Sequence, residues 1–198
     1  MTSPQWSQTF PQGIFAVYTH PVPFPCAELQ QVHGCLLAQI PSVNSPTADG
    51  HIGEWKNFTL PLAIKTADCL PILILGNAGF AFIHAGHKGL AHKILLQPAI
   101  KKLQPTSAAL GPGIRNCCFE VQNDFYNHFP PSDNYQIRNG KIFFDLFLEA
   151  RTQLLSEYPT VQIFDPKICT ACNTLFHSYR RNKTCQRNFN IWQPLSRN

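Results

Sequence analysis

The chain has 198 residues, of which 44% are hydrophobic and only 14% charged, so it carries enough apolar material for a packed core and too few charges for a disordered protein. Its formal net charge of +5 is mild and scattered, the densest groups being Lys101-Lys102 and the Arg180-Arg181-Asn182-Lys183 run. This suits anionic small molecules at least as well as nucleic acid, and no nucleic-acid-binding signature is present.

Residues 1–10 show no basic stretch leading into an apolar one, and the longest apolar run, 70–75, is far too short to cross a bilayer. The expectation is a cytoplasmic protein with no membrane partner. In that setting the eight cysteines are reduced, with a minority used in chemistry.

In chain order, IFAVYT (14–19) reads as a strand and is followed by a loop carrying Pro21, Pro23 and Pro25. QQVHGCLLAQI (30–40) reads as a second strand-like region, and PSVNSPTADG (41–50) as turn material. A short strand is predicted over 60–64 and a buried one over 71–75. Gly76-Asn77 marks a hairpin, and 79–84 returns as the partner strand. Apolar spacing predicts a helix over 89–103 that Pro98 kinks or breaks. Residues 108–114 form a strand running into a glycine-rich turn, 119–129 a helix, and 141–155 the clearest amphipathic helix, stopped by Pro159. A strand over 161–164 and a largely irregular tail over 173–192, with one strand, complete the chain. Hairpin pairs separated by helices predict an α+β fold in one domain over 1–198.

Functional residue types concentrate in five stretches at the edges of apolar segments: QVHG (31–34), KTADCLP (65–71), HAGHKG (84–89), GPGIRNCCFEV (111–121) and FHSYRRN (176–182). Two imidazoles and a thiolate, His33, Cys69 and His84, suit Zn²⁺ and leave a fourth position for reactant, as catalytic rather than structural zinc requires. Water on such a metal ionises near pH 7 instead of about 15.7. The bland alternative is a small buried thiol with two histidines hydrogen-bonded at strand ends.

Asp68 next to Cys69 faces the other way in an extended segment, orienting the loop, or serves as a general base if the backbone turns. Lys88, in a turn bounded by glycines, is a candidate anion contact, with a solvated lysine as the alternative. Arg180 is another candidate, by bidentate hydrogen bonding. Of the adjacent pair, Cys118 is expected to face the core and Cys117 the pocket. Cys169 and Cys172 form a CxxC, which is half a zinc ribbon or a redox pair; a ribbon needs a second CxxC, and the sequence has none.

In order and wording these stretches resemble the laccase-domain (multicopper polyphenol oxidase) family, also described as zinc-dependent purine nucleoside phosphorylase/adenosine deaminase enzymes and as peptidoglycan-editing hydrolases. QVHG, ADG (48–50), TADCLP, HAGHKG, GPGIRNCCFEV and CTACNTLFHSYRRNKTCQR carry the likeness, from residue 31 onward. It implies the α+β laccase-domain fold of mixed sheets flanked by helices, the fold also described as cytotoxic-necrotizing-factor-like cysteine hydrolase. It puts the metal ligands on His33, Cys69 and His84, with zinc as the cofactor and copper as the alternative. Gln31, Lys88, Cys117 and Arg180 become the expected substrate contacts, with Asp68 and Cys69 as the catalytic pair.

Three departures stand out. The family's tryptophan and arginine in HAGWRG are His87 and Lys88, its RRDGG turn is RRNKT, and the region before residue 31 is short. The expected function is zinc-dependent phosphorolysis of purine nucleosides such as adenosine, inosine and methylthioadenosine, together with adenosine deamination; the substrates are a nucleoside and phosphate, with no nucleic acid partner. Three alternatives stand beside it. They are an amidohydrolase on peptidoglycan precursors with Cys69 as nucleophile, a copper polyphenol oxidase, and a non-catalytic metal-binding protein.

Overall fold

A computed structural model describes residues 3–41, 44–57 and 60–195. The turn predicted over 41–50 and the N-terminal stretch 1–10 each include residues outside these ranges.

The N-terminal hairpin pairs β1 (Trp6–Phe10) with β2 (Gly13–Tyr18). After a long loop come β3 (Leu37–Gln39), β4 (Gly50–Glu54), β5 (Leu62–Thr66), β6 (Leu70–Gly76) and β7 (Gly79–Ala85). Helix α1 (His87–Ala91), a 3-10 turn and helix α2 (Pro98–Lys101) lead to β8 (Pro105–Leu110). Then follow β9 (Glu120–Val121), β10 (Tyr135–Arg138), β11 (Lys141–Phe144), α3 (Leu146–Glu157), β12 (Gln162–Phe164), α4 (Tyr179–Asn182) and β13 (Asn188–Pro194).

The strands form a six-stranded mixed sheet in the order β12-β8-β6-β7-β4-β3, a four-stranded sheet β1-β2-β13-β5, and a small sheet β10-β11-β9. Strands β6 and β7 are buried along their whole length, which explains why their sequences are continuous apolar runs rather than alternating ones. Their side chains still alternate between layers. Leu70, Ile72 and Ile74 of β6 join Ala81 and Ile83 of β7 on the face covered by α1 and α3. Leu73 and Leu75 join Phe80 and Phe82 on the other face, against Phe15, Ile64 and Trp192 of the four-stranded sheet. Each of the leucines, isoleucines and phenylalanines in these layers contributes about 2 kcal/mol by leaving water. At the hairpin tip a Cβ on Gly76 would lie 2.1 Å from the Leu103 carbonyl oxygen, so only glycine fits there.

The α+β fold and the β6–β7 hairpin are as the sequence implied. Several elements differ. Of residues 30–40 only Leu37–Gln39 is strand, because the Asp49 carboxylate takes up the amides of Val32, His33 and Gly34 and His33 adopts φ 60°. Pro98 begins α2 rather than breaking a longer helix, its ring being pre-shaped for a first helical position. Over 119–129 the chain forms β9 and a 3-10 turn. Over 141–155 it is first a strand: Asn139 and Gly140, at φ 51° and 72°, turn β10 into β11. Asp145 then caps α3 by accepting from the Leu148 amide at 2.9 Å. Among the described residues no helix is long and apolar enough to cross a membrane.

Candidate metal centre and its cavity

Three separate pieces of chain meet where β6 begins and β7 ends. Leu70 pairs with Ala85 in that hairpin, and continuing the register places Cys69 opposite Gly86. A Cβ on Gly86 would lie 3.2 Å from the Cys69 sulfur and 3.6 Å from the His33 ring, so the missing side chain leaves room for both. On the other side of β7, Gly50 pairs with Ile83, and the next step brings Asp49 beside His84, whose amide donates to the Asp49 carbonyl at 2.7 Å.

One ligand atom each from His33, Cys69 and His84 falls within 4.8 Å of the others. The two imidazoles are edge to face, with centroids 4.7 Å apart. His84 is buried and its Nδ1 lies 2.8 Å from Asp49 Oδ1, which fixes the ring and turns Nε2 toward Cys69, where a metal could take it. The same carboxylate accepts from the amides of His33 at 2.9 Å and Gly34 at 2.7 Å, holding the QVHG loop against the end of β7. Asp49 therefore positions both histidines. The sequence offered only the ADG turn as its signal.

Electrostatics follow from this arrangement. Burial pushes the Cys69 thiol up, but the hydrogen bonds and charge of His33 and His84 outweigh it and bring it down to about 6. Burial pushes His84 down, and Asp49 and Cys69 together reverse this and raise it to about 9. Burial also disfavours the Asp49 carboxylate, but the bonds from His84, Gly34 and His33 hold it below the usual range. Without a metal the cluster is a thiolate–imidazolium–carboxylate chain. Two imidazoles and a readily ionised thiol at this spacing fit zinc, whose bonds of about 2.0–2.3 Å need only small inward movements.

His33 and Cys69 line a cavity of about 520 Å³. Arg180 and Arg187 give its wall positive charge, Lys65 is paired with Glu28 at 2.8 Å, and Phe119 and Tyr179 give it aromatic surface. Asp68 also lines it, at φ 103°, and each carboxylate oxygen accepts one hydrogen bond: Oδ1 from the Thr170 hydroxyl and Oδ2 from the Arg180 amide, each at 2.7 Å. Gln31 lines it with its side-chain amide bonded at both ends to the Lys65 backbone, at 2.8 Å each.

The guanidinium of Arg180 donates to the carbonyls of Cys118 and Glu120 at 3.1 and 2.8 Å while facing the cavity. Two of the expected substrate contacts, Lys88 and Cys117, lie outside the cavity lining. Lys88 is exposed on α1 and is not part of the cavity wall. Cys117 turns to Cys172 at 3.6 Å, while Cys118 packs against the core as expected and also approaches Cys172, at 3.2 Å. Lys65, Phe119, Tyr179 and Arg187 were not singled out by the sequence, although each lies within one of the stretches named above.

Fold and site together define a mixed-sheet α+β domain with an imidazole–thiol cluster bordering a cavity that carries arginines in its wall. Over residues 16–192 the chain matches the family described as multi-copper polyphenol oxidoreductase laccase, and it belongs to that family. It is 36% identical over 151 residues to a protein of Aquifex aeolicus named purine nucleoside phosphorylase, covering 73% of this chain and 70% of that one. It is 29% identical to a protein of the same name from Borreliella burgdorferi, covering 83% and 78%. Among solved structures, a Neisseria meningitidis protein superposes with a TM-score of 0.75 at 28% identity, over 87% of this chain and 76% of that one. YlmD from Geobacillus stearothermophilus, at 22% identity and a TM-score of 0.71 over 86% and 73%, shares the fold.

Proposed function

We propose that the protein is a zinc-dependent enzyme that cleaves purine nucleosides by phosphorolysis, on small molecules in the cytoplasm. The observation that carries this reading is the meeting of His33, Cys69 and His84 beside a cavity that His33 and Cys69 line and whose wall combines cations with aromatic rings. The name borne by the Aquifex and Borreliella relatives supports it.

When bound, zinc supplies Lewis acidity beside the reacting groups. The chain's own residues do the rest. Arg180 and Arg187 hold phosphate and offset its charge, taking the part that the sequence suggested for Lys88. Phe119 and Tyr179 stack on the purine. A phosphate oxygen bonds to the ribose C1′ as the bond from C1′ to the purine nitrogen breaks, and the electron pair leaves with the base. Asp68 ties the Thr170 hydroxyl and the Arg180 amide to the cavity wall, and with one bond on each oxygen it keeps lone pairs free toward a substrate proton. Deamination, which needs a carboxylate to relay protons, would call on Asp68, the carboxylate in the cavity wall.

Protein loaded with zinc and given inosine or adenosine with phosphate is expected to release free base and ribose 1-phosphate, and His33→Ala to lose both metal and turnover. No base release from protein with its metal bound would overturn the reading. A second reading has a specific observation behind it: the Cys69 thiol brought down to about 6 between two imidazoles is also that of a cysteine nucleophile acting on an amide. Amide cleavage that persists after complete metal removal would favour it. Copper chemistry on the trio would show as blue absorbance on copper loading. Metal binding without turnover of any nucleoside would leave a binding role.

A further inference from the structure

A second cluster of potential ligands lies away from the trio. The sulfurs of Cys117, Cys118, Cys169 and Cys172 all fall within 4.8 Å of one another. We propose that these four cysteines bind a second Zn²⁺ as a tetrathiolate site that stitches the GPGIRNCC loop after β8 to the CTAC loop after β12.

Geometry favours a metal over disulfides. In a tetrahedron of zinc–sulfur bonds of about 2.3 Å, neighbouring sulfurs sit about 3.8 Å apart. Here Cys118 and Cys117 approach Cys172 at 3.2 and 3.6 Å, which brackets that edge from below, while 4.8 Å bounds the rest. A disulfide needs about 2.05 Å between sulfurs, and Cys172 faces two candidates but can bond only one. The sequence held only one CxxC; the adjacent pair Cys117-Cys118 supplies the other two sulfurs from a different loop.

The surroundings suit an anionic centre. Zn²⁺ displaces four protons from four thiols, leaving a complex with two net negative charges. Cys169 is buried, and the backbone N–H groups of Arg115, Ala171 and Cys172 donate to it, so the CxxC turn already wraps its first sulfur with donors. Three guanidiniums brace the same loops: Arg138 donates to the Asn116 carbonyl, Arg180 to that of Cys118, and Arg181 to those of Thr170 and Ala171. The two loops are also docked by backbone, Gly113 bridging Cys169 and the Thr170 amide donating to the Gly113 carbonyl at 3.1 Å. Tetrahedral coordination by four thiolates selects zinc or an iron–sulfur centre, and closing all four positions makes the site structural.

Its consequence reaches the cavity. Thr170, between Cys169 and Cys172, bonds Asp68, and the Cys118 carbonyl holds Arg180. A metal at the four sulfurs would fix both wall residues from behind.

Full-length protein prepared under reducing conditions with zinc is expected to hold two zinc ions per chain. Cys172→Ser should hold one, and so should Cys69→Ser. Cobalt loaded into Cys69→Ser should give the sulfur-to-metal charge-transfer band and intense red-region absorption of four thiolates. In Cys172→Ser that signature should be lost, leaving the weaker spectrum of a single thiolate. If Cys172→Ser fails to fold, Cys172→His keeps a ligand and is expected to retain two metals with a shifted cobalt spectrum. The proposal is overturned by any of three results: a single metal in wild type that Cys69→Ser abolishes, iron with broad visible absorption, or a disulfide from Cys172 to Cys117 or Cys118 in protein kept reduced. None depends on nucleoside turnover, so the nucleoside reading and this one fail separately.

Discussion

The carboxylate of Asp49 lies 2.8 Å from Nδ1 of His84, and neither residue has access to solvent, at 0% and 2% exposure. The other face of the same carboxylate gathers the amides that shape the His33 loop. One buried aspartate thus sets the orientation of both imidazoles. Replacing it by alanine should weaken metal binding by about 10–100-fold, the usual cost of removing a carboxylate behind a ligating histidine. Asp49→Asn should not restore it, because its NH₂ cannot accept from the amides it would face. Chelator competition measures this; unchanged affinity in Asp49→Ala would show that the pair does not prepare the site.

Cys69 yields a prediction for the metal-free protein. Its thiol titrates near 6 instead of the ordinary 9.0, because two imidazoles stabilise the thiolate against the cost of burial. Lowering a thiol pKa extends the reactive form to lower pH, so the rate of alkylation by iodoacetamide should rise through an inflection near 6 and be flat above it. His84→Ala should move that inflection upward, and added zinc should suppress the reaction. An inflection that stays at the ordinary thiol value would contradict the thiolate–imidazolium pairing.

How legible this was in the sequence depends on how local the signal is. The β6–β7 hairpin was readable because burial on both faces writes a continuous apolar run around a Gly-Asn turn. His33, Cys69 and His84 were nominated by residue type next to glycine and proline, and the structure brings them together. Asp49 was not, since an aspartate in a turn looks the same whether it caps a loop or holds two histidines. Residues 141–155 were misread because a strand running into a capped helix mimics one amphipathic helix; the Asn139-Gly140 turn ahead of them was the missed clue. The cysteine cluster was invisible for a different reason: half of it belongs to a loop that only the β8–β12 pairing carries to the CxxC.

Gly86 tests the packing of the trio without touching a ligand. Its backbone, at φ −76°, accepts any residue, so alanine there adds no strain of its own. The new methyl would sit 3.2 Å from the Cys69 sulfur, and the sulfur must move by a few tenths of an ångström. Gly86→Ala is therefore expected to keep its melting temperature within a few degrees while losing metal affinity several-fold. Equal affinity in the variant and the parent would mean that the trio tolerates displacement and is less constrained than its packing indicates.

His51 offers a stability measurement separate from the site. It is fully buried in β4, with Nε2 bonded to the Ala63 carbonyl at 3.3 Å, and among the described residues Nδ1 has no partner. Burial outweighs that bond and depresses the imidazole from 6.5 to about 4. Between those values the unfolded chain binds a proton that the folded protein does not, so stability is complete above 6.5 and falls as pH drops towards 4. The shift corresponds to roughly 3 kcal/mol, since one pKa unit is about 1.4 kcal/mol. Glutamine at this position can donate to Ala63 and does not titrate. Urea unfolding across that window should give a steeper loss of stability with falling pH in wild type than in His51→Gln. Parallel slopes would show that His51 does not contribute to the acid sensitivity of the fold.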